Sequence, residues 1–401
     1  MLKVQPWGPV DHLVRAVGGR DEQVLEAITE IGPQQVADVL VAEIGTRWDP
    51  PVTWQELPIN LHLQFEDRLY SYVATIKDDQ LLIEPGTADN AGAEIRYSLA
   101  ELARLLYAPR DGYPSTREII IRAWPKQKPQ RPDPTASADP EQRAVERYSE
   151  GRALFQSVQS VTDACSARLV SMDQLSGLYG TDKWGSMPSF APHYEAHFER
   201  FRRDPVKVLE IGIGAYQLQS LGGDSLYMWQ RFFPRGLIYG MDIFDKPNVK
   251  GPRIRTIKGD QSDPEFLRRL GQEEGPFDII IDDGSHINDH VRISFESLFP
   301  YVRAGGYYVI EDFQTSYWPE FGGELPPGSP RTTAGLIRDL IDQIHFREFA
   351  HVEDDEARKA THPSDIHIYH NLVFLGKGMN HEQGSPEWIR EGAKKRFGAQ
   401  R

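Results

Sequence analysis

Val206-Lys207-Val208-Leu209-Glu210-Ile211-Gly212-Ile213-Gly214 is a short apolar run that ends in an acid and a glycine turn. That is the pattern of a buried parallel strand feeding a ligand loop. Further runs share its form: Leu237 to Asp242, Ile254 to Ile257, Phe277 to Asp282 and Gly306 to Glu311. Helical or looping stretches separate them, so a doubly wound α/β sheet is predicted. A helix from about Thr333 to Phe346 should follow, and Ile366 to Leu375 suits a terminal hairpin with Asn371 near its turn. Upstream the period changes. Leu61, Leu63 and Phe65, then Leu69 to Ile76 and Leu81 to Ile83, predict a β-meander, with helical patterns at Asp21 to Glu43 and Ser98 to Leu106. Proline and charge crowd the stretch Pro125 to Pro140, the composition of an extended linker. The expected organisation is a smaller N-terminal α+β accessory domain over 1–124, a proline-rich linker over 125–145 and the α/β domain over 146–401.

The chain has 401 residues, 39% hydrophobic and 26% charged, ordinary globular composition of a size for two domains. Its 45 Lys plus Arg face 59 Asp plus Glu, a formal charge of −14, which repels phosphate backbones and anionic headgroups and argues against nucleic acid and membrane partners. Cys165 is the single cysteine, so a metal site must use oxygen or imidazole. That count and the weakly apolar first residues predict a soluble, cytoplasmic protein. In strand pattern the segment Asn60 to Tyr107 resembles a sterol-carrier-type domain.

Ligands of open α/β sheets bind beyond the carboxyl ends of the strands, and here those ends are acidic. Gly212 and Gly214 let backbone approach a ligand closely, while Gln217 stands where a pyrophosphate fingerprint wants a third glycine. With Glu210 in the turn, the loop suits a cationic or amino-bearing ligand. Asp242 lies where an acid accepts both hydroxyls of a ribose, and the short polar side chains of Asp260, Gln261 and Ser262 suit an adenine edge. Together these strand ends resemble the class I S-adenosylmethionine-dependent methyltransferases, which implies a Rossmann-like sheet.

Asp282-Asp283-Gly284-Ser285-His286 closes the fourth run and Glu311-Asp312 the fifth. Neighbouring strands lie about 4.8 Å apart, so these carboxylates converge and repel unless a cation lies between them. Hard oxygen donors predict Mg²⁺ held by Asp283, Glu311 and Asp312, with Asp282, counted among the cofactor residues, turned inward. His286 follows Asp283 on the loop leading to substrate and is the expected general base; His290, His193 and His197 are its rivals. Thr315, Tyr317 and Trp318 are candidates for a wall against the substrate.

The segments Leu178 to Trp184, His193-Tyr194-Glu195, Glu210 to Gly214, Gly222 to Trp229, Ile281 to His286 and Ile310 to Asp312 resemble the metal-dependent sugar O-methyltransferases of macrolide biosynthesis. The resemblance implies an S-adenosylmethionine pocket that includes Thr181, Lys183 and Ser225, Mg²⁺ on Asp283, Glu311 and Asp312, and His286 as base. It implies a homo-oligomer, a tetramer in the family. It also implies methyl transfer to a deoxysugar hydroxyl, rhamnose- or allose-type, on a glycosylated polyketide, so the partner is a small-molecule glycoside. The stretch Ala215 to Leu221 departs from the family pattern. Two other readings stay open: a catechol or phenol O-methyltransferase, and a non-catalytic small-molecule-binding protein.

Overall fold

The computed structural model describes residues 7–54, 56–109, 115–122, 140–166, 168–183, 189–215, 221–348, 362–379 and 384–398. Most of the proline-rich seam, Trp184 and residues 216–220 of the departing turn lie outside them. Among the described residues no helix is long and apolar enough to cross a membrane.

The meander forms as β1 (Ile59–Phe65), β2 (Arg68–Lys77) and β3 (Gln80–Pro85), each antiparallel to the next. Two further strands complete the sheet, the first within the segment Asn60 to Tyr107 read by its strand pattern. β4 (Ala93–Ser98) returns parallel to β1, and β5 (Glu118–Ile121) pairs antiparallel with it, giving the order β3-β2-β1-β4-β5. The helix expected over Asp21 to Glu43 is two helices, Asp21–Ile31 and Pro33–Arg47. Gly32 between them takes φ 98°, and Pro33 has no N–H to continue the ladder, so the chain turns there. Ser98 caps the helix Leu99–Tyr107, its hydroxyl accepting from Glu101 N at 3.0 Å.

The second sheet has the order β11-β12-β10-β9-β6-β7-β8. Its parallel members are β6 (Lys207–Ile211), β7 (Leu237–Asp242), β8 (Ile254–Lys258), β9 (Phe277–Asp282) and β10 (Val302–Ile310). The hairpin of β11 (Asp365–Tyr369) and β12 (Leu372–Gly376) adds two antiparallel strands, with Asn371 at φ 63° in its turn. Strand order reverses between β6 and β9, the switch point at which such sheets bind ligands. Alternation splits the core. Val208, Ile238, Ile279 and Val309 face one layer with Trp229 and Phe232, while Leu209, Tyr239, Ile280 and Tyr308 face the other.

That second layer is continuous with the N-terminal half, joining Leu209 and Tyr239 to Leu40, Leu61 and Leu106 in one buried set. The helix Pro140–Ala164, which the sequence boundary at 146 gives mainly to the α/β domain, contributes Leu154, Val158 and Val161 to this set. It also bonds the N-terminal half directly, Trp48 Nε1 donating to Ser160 Oγ at 3.1 Å and Thr53 Oγ1 to Gln156 Oε1 at 2.6 Å.

A buried ion cluster fastens the halves together. Glu43 Oε1 accepts from Arg47 Nε at 2.8 Å and Arg253 Nη2 at 2.7 Å, and Oε2 accepts from Arg253 Nε at 3.0 Å and Tyr107 at 3.2 Å. Arg253, between β7 and β8, is 0% exposed and also donates to the carbonyls of Phe233, Gly236 and Gln230, each at 2.7 Å. Arg47 reaches Leu106 O at 2.9 Å and Pro234 O at 3.1 Å.

Candidate functional site

The β6 turn is shaped by Gly212, whose φ of 93° favours glycine and whose missing Cβ would stand 2.1 Å from Asp283 O. Asp283 N in turn donates to Ile211 O at 2.9 Å, so the turns after β6 and β9 lie backbone against backbone. Gly212→Ala should destabilise the protein by about 1–3 kcal/mol through the combined clash and strained φ. An unchanged urea midpoint would show that the paired turns move apart freely.

Asp242 ends β7 half-buried, its carboxylate accepting from Ile213 N at 3.0 Å and Phe244 N at 2.8 Å. It therefore braces the glycine turn and still borders it. Asp260 closes a tight turn on Ser262, accepting from its N–H at 2.8 Å and hydroxyl at 2.7 Å, and these bonds hold its carboxyl below the usual range. Gln261 differs from the expectation of a ligand contact. It is buried, donating to Asp282 Oδ1 at 2.6 Å and accepting from Ser285 N at 2.9 Å. Asp282 is turned inward and accepts also from Ser294 and Tyr308 at 2.8 and 2.9 Å. Burial raises its pKa to about 6, opposed by those hydroxyls. Gln261 and Asp282 thus prop the Asp283 loop from inside. Thr181 is also buried, its hydroxyl 3.8 Å from Met228 Sδ.

The expected metal ligands fall into two overlapping groups. Asp283, His286 and Asp312 each offer a ligand atom, all within 4.8 Å of one another. His286 Nε2 stands 3.5 Å from Asp312 Oδ2 and 4.0 Å from Asp283 Oδ1, and the three side chains are 21–36% exposed. His286 and Asp312 both take left-handed backbone, φ 56° and 50°, a strain that persists where surrounding structure enforces it and that clusters at functional sites.

Glu210, Asp283 and Glu311 make the second group, and its cation is Lys183. Lys183 Nζ lies 2.6 Å from Glu311 Oε1, 2.9 Å from Asp283 Oδ2 and 3.5 Å from Glu210 Oε1. Glu311 Oε1 also accepts from the Tyr194 hydroxyl at 2.5 Å, and Glu210 Oε2 from Ser225 at 2.7 Å. Burial would lower the Lys183 pKa, but Asp283, Glu311 and Glu210 raise it well above the ordinary value. Burial likewise lifts Glu210 to about 7 against the pull of Lys183, and lifts Glu311 well above its usual range with Asp283 adding to the rise. Lys183, Glu210 and Ser225, expected as donor-site residues, are thus joined in the buried network behind Asp283. Glu311 stands on that same buried side, while Asp283 and Asp312 face the imidazole.

The rival histidines are engaged elsewhere. His290 Nδ1 is 2.9 Å from Ser285 Oγ, His193 stacks on Tyr369 with centroids 3.8 Å apart, and His197 Nε2 is 3.0 Å from the Tyr369 hydroxyl. Of the expected wall, Trp318 is exposed and Tyr317 half-buried. Thr315 does not belong to it: the side chain is buried and its hydroxyl donates to Asp312 O at 2.8 Å, closing the turn after β10. Phe321, which no sequence pattern marked, stands 6.4 Å from the His286 ring and 6.0 Å from Trp318. Asn288 fixes this loop, donating to Phe321 O at 2.8 Å and Thr315 O at 3.1 Å and accepting from Thr333 N at 2.6 Å.

Half-exposed carboxylate oxygens backed by one imidazole fit a hard divalent ion with open positions for substrate oxygens. The same imidazole is placed to take a proton from an acceptor held there.

Comparison with known proteins agrees with this chemistry. The family profile described as MycE methyltransferase N-terminal matches residues 10–117, which includes the stretch that resembles a sterol-carrier unit. The chain is 40% identical over 388 residues to demethylmacrocin O-methyltransferase of Streptomyces fradiae, covering 95% of this chain and 94% of that one. It is 41% identical over 391 residues to mycinamicin VI 2''-O-methyltransferase of Micromonospora griseorubida, covering 95% and 93%. Among solved structures, it is similar to the MycE methyltransferase of the mycinamycin biosynthetic pathway in complex with Mg, SAH and mycinamycin VI, with TM-score 0.84, 39% identity and coverage of 96% and 97%.

Proposed function

The chain belongs to the metal-dependent sugar O-methyltransferase family of macrolide biosynthesis, and from that membership we propose that it methylates a rhamnose- or allose-type deoxysugar hydroxyl on a glycosylated polyketide. S-adenosylmethionine is the methyl donor and Mg²⁺ the metal. The observation that carries the proposal is the convergence of Asp283, His286 and Asp312 at the ends of β9 and β10, beside the switch point of the sheet. Asp283 and Asp312 would hold the ion, with Glu311 on their buried side.

When bound, the donor sulfonium supplies the methyl group and the divalent ion makes a sugar hydroxyl more acidic. The protein does the rest. His286 Nε2, the nitrogen turned toward Asp312 and Asp283, accepts the hydroxyl proton as the methyl arrives. The two carboxylates then stabilise the imidazolium. Phe321 and Trp318 offer an apolar face beside the imidazole, suited to the body of a glycoside. The glycine turn after β6, braced by Asp242, would hold the donor, and fixed proximity to the acceptor lowers the barrier to transfer. The subunits are proposed to assemble as a homo-oligomer, as the family resemblance implies.

The test is incubation of the purified protein with labelled S-adenosylmethionine and a panel of desmethyl rhamnosyl and allosyl glycosides and catechols. One methyl should appear on a sugar hydroxyl, located by fragmentation. A chelator should lower the rate by about 10²-fold or more, and Mg²⁺ should restore it. Methylation of catechols alone, or activity indifferent to chelator, would overturn the proposal.

A further inference from the structure

We infer that Lys183 is the positioning residue of the metal centre, holding Asp283 and Glu311 from the buried side so that Asp283 presents its other oxygen to His286 and Asp312. The inference rests on the Mg²⁺ reading above and adds a role for a residue outside the ligand set.

The two oxygens of Asp283 are divided. Oδ2 is bonded to Lys183 Nζ at 2.9 Å, and Oδ1 is the atom nearest His286 Nε2, at 4.0 Å. A carboxylate anchored by one oxygen cannot rotate freely, so the other is held toward the half-exposed side where the ligand atoms of Asp283, His286 and Asp312 gather. Lys183 also fixes Glu311 through Oε1 at 2.6 Å, the oxygen that Tyr194 bonds. The side chain is 1% exposed. The backbone of Lys183 is fixed as well, its carbonyl accepting from Phe190 N at 3.1 Å and Ala191 N at 3.0 Å. Partners of this kind, which bond the ligands rather than the ion, typically contribute 10–100-fold to metal affinity.

The charge alone points the other way. A cation beside Asp283 repels a divalent ion, so removing it without loss of order would tighten binding. The experiment separates the two effects by the sign of the change in Mg²⁺ affinity, read by calorimetric titration.

Lys183→Met should weaken Mg²⁺ binding by about 10–100-fold while the near-UV circular dichroism of the folded protein is retained. The double variant Lys183→Met/Glu210→Gln removes the ammonium together with one buried carboxylate, so net charge is kept while the tether is still gone. It serves also if the single variant does not fold, and the same weakening is expected. Tighter or unchanged Mg²⁺ binding in the variant that folds would overturn the inference, as would a loss of Mg²⁺ binding that only parallels a loss of the near-UV signal. If the unmodified protein binds no Mg²⁺, the functional reading fails and this inference with it. If it binds Mg²⁺ and the double variant binds equally well, only the inference fails.

Discussion

His286→Ala should lower kcat by about 10²–10⁴-fold, the usual contribution of a general base, while S-adenosylmethionine binds as before. The reasoning is geometric. His286 is the histidine whose Nε2 faces both Asp283 and Asp312, on a backbone of φ 56° that a relaxed loop would not adopt. His290 is the sharpest control, because it lies four residues on, in the first turn of the helix Asn288–Leu298, with Nδ1 2.9 Å from Ser285 Oγ. Its replacement by alanine should affect turnover far less. Single-turnover measurements would keep methyl transfer apart from product release. Full activity in His286→Ala, or an equal loss in His290→Ala, would move the base elsewhere.

Arg253→Met should cost about 3–5 kcal/mol of stability, because it removes one of the two guanidinium partners of buried Glu43 and leaves the carbonyls of Phe233, Gly236 and Gln230 without that donor. Arg253 and Arg47 share Glu43 as their acceptor, and Arg253 reaches across the two halves of the chain. Adding Glu43→Gln to Arg253→Met should deepen the loss, because buried Arg47 then lacks its carboxylate partner. Acid should act through the same cluster. Burial raises the Glu43 pKa, but Arg253 and Arg47 overcome it and hold the carboxyl at about 2 against an ordinary 4.5. A group depressed on folding stabilises fully above its unfolded value, so this contribution is intact above about pH 4.5 and is lost as pH falls toward 2. Denaturation midpoints of the parent and Arg253→Met, taken across that range, should converge in acid. Parallel curves would place the acid-sensitive groups elsewhere.

The α/β half was legible because its parallel strands are nearly all apolar and end in acids. β9 is buried at every position from Phe277 to Asp282, so its sequence shows both the strand and the place where it stops. The N-terminal half was less so. The strand β4 alternates Glu94 and Arg96 with apolar residues as a strand does, but its parallel pairing with β1 is a long-range contact that local pattern does not encode. Asp283, His286 and Asp312 could be placed together because adjacent strand ends converge. The partners of Lys183 could not be placed, since the ammonium reaches Glu311 across 128 positions of sequence. Phe321 sits in a loop with no period to read, and Asn288 had no signal at all, because its bonds run to backbone carbonyls of a distant turn.

The layer of side chains shared between Leu40, Leu61, Leu209 and Tyr239 bears on how the family diversifies. A recombination crossover placed in the proline-rich seam would separate the helix Pro140–Ala164 from the surface on which it lies, and would part Glu43 from Arg253 as well. Chimaeras of two relatives therefore need their junction after that helix, and need both sides of the salt cluster from one parent or matched in each. Under the proposed function, exchange of the short loop around Trp318 and Phe321 is the smaller change by which substrate range should be altered, with both halves of the core left intact.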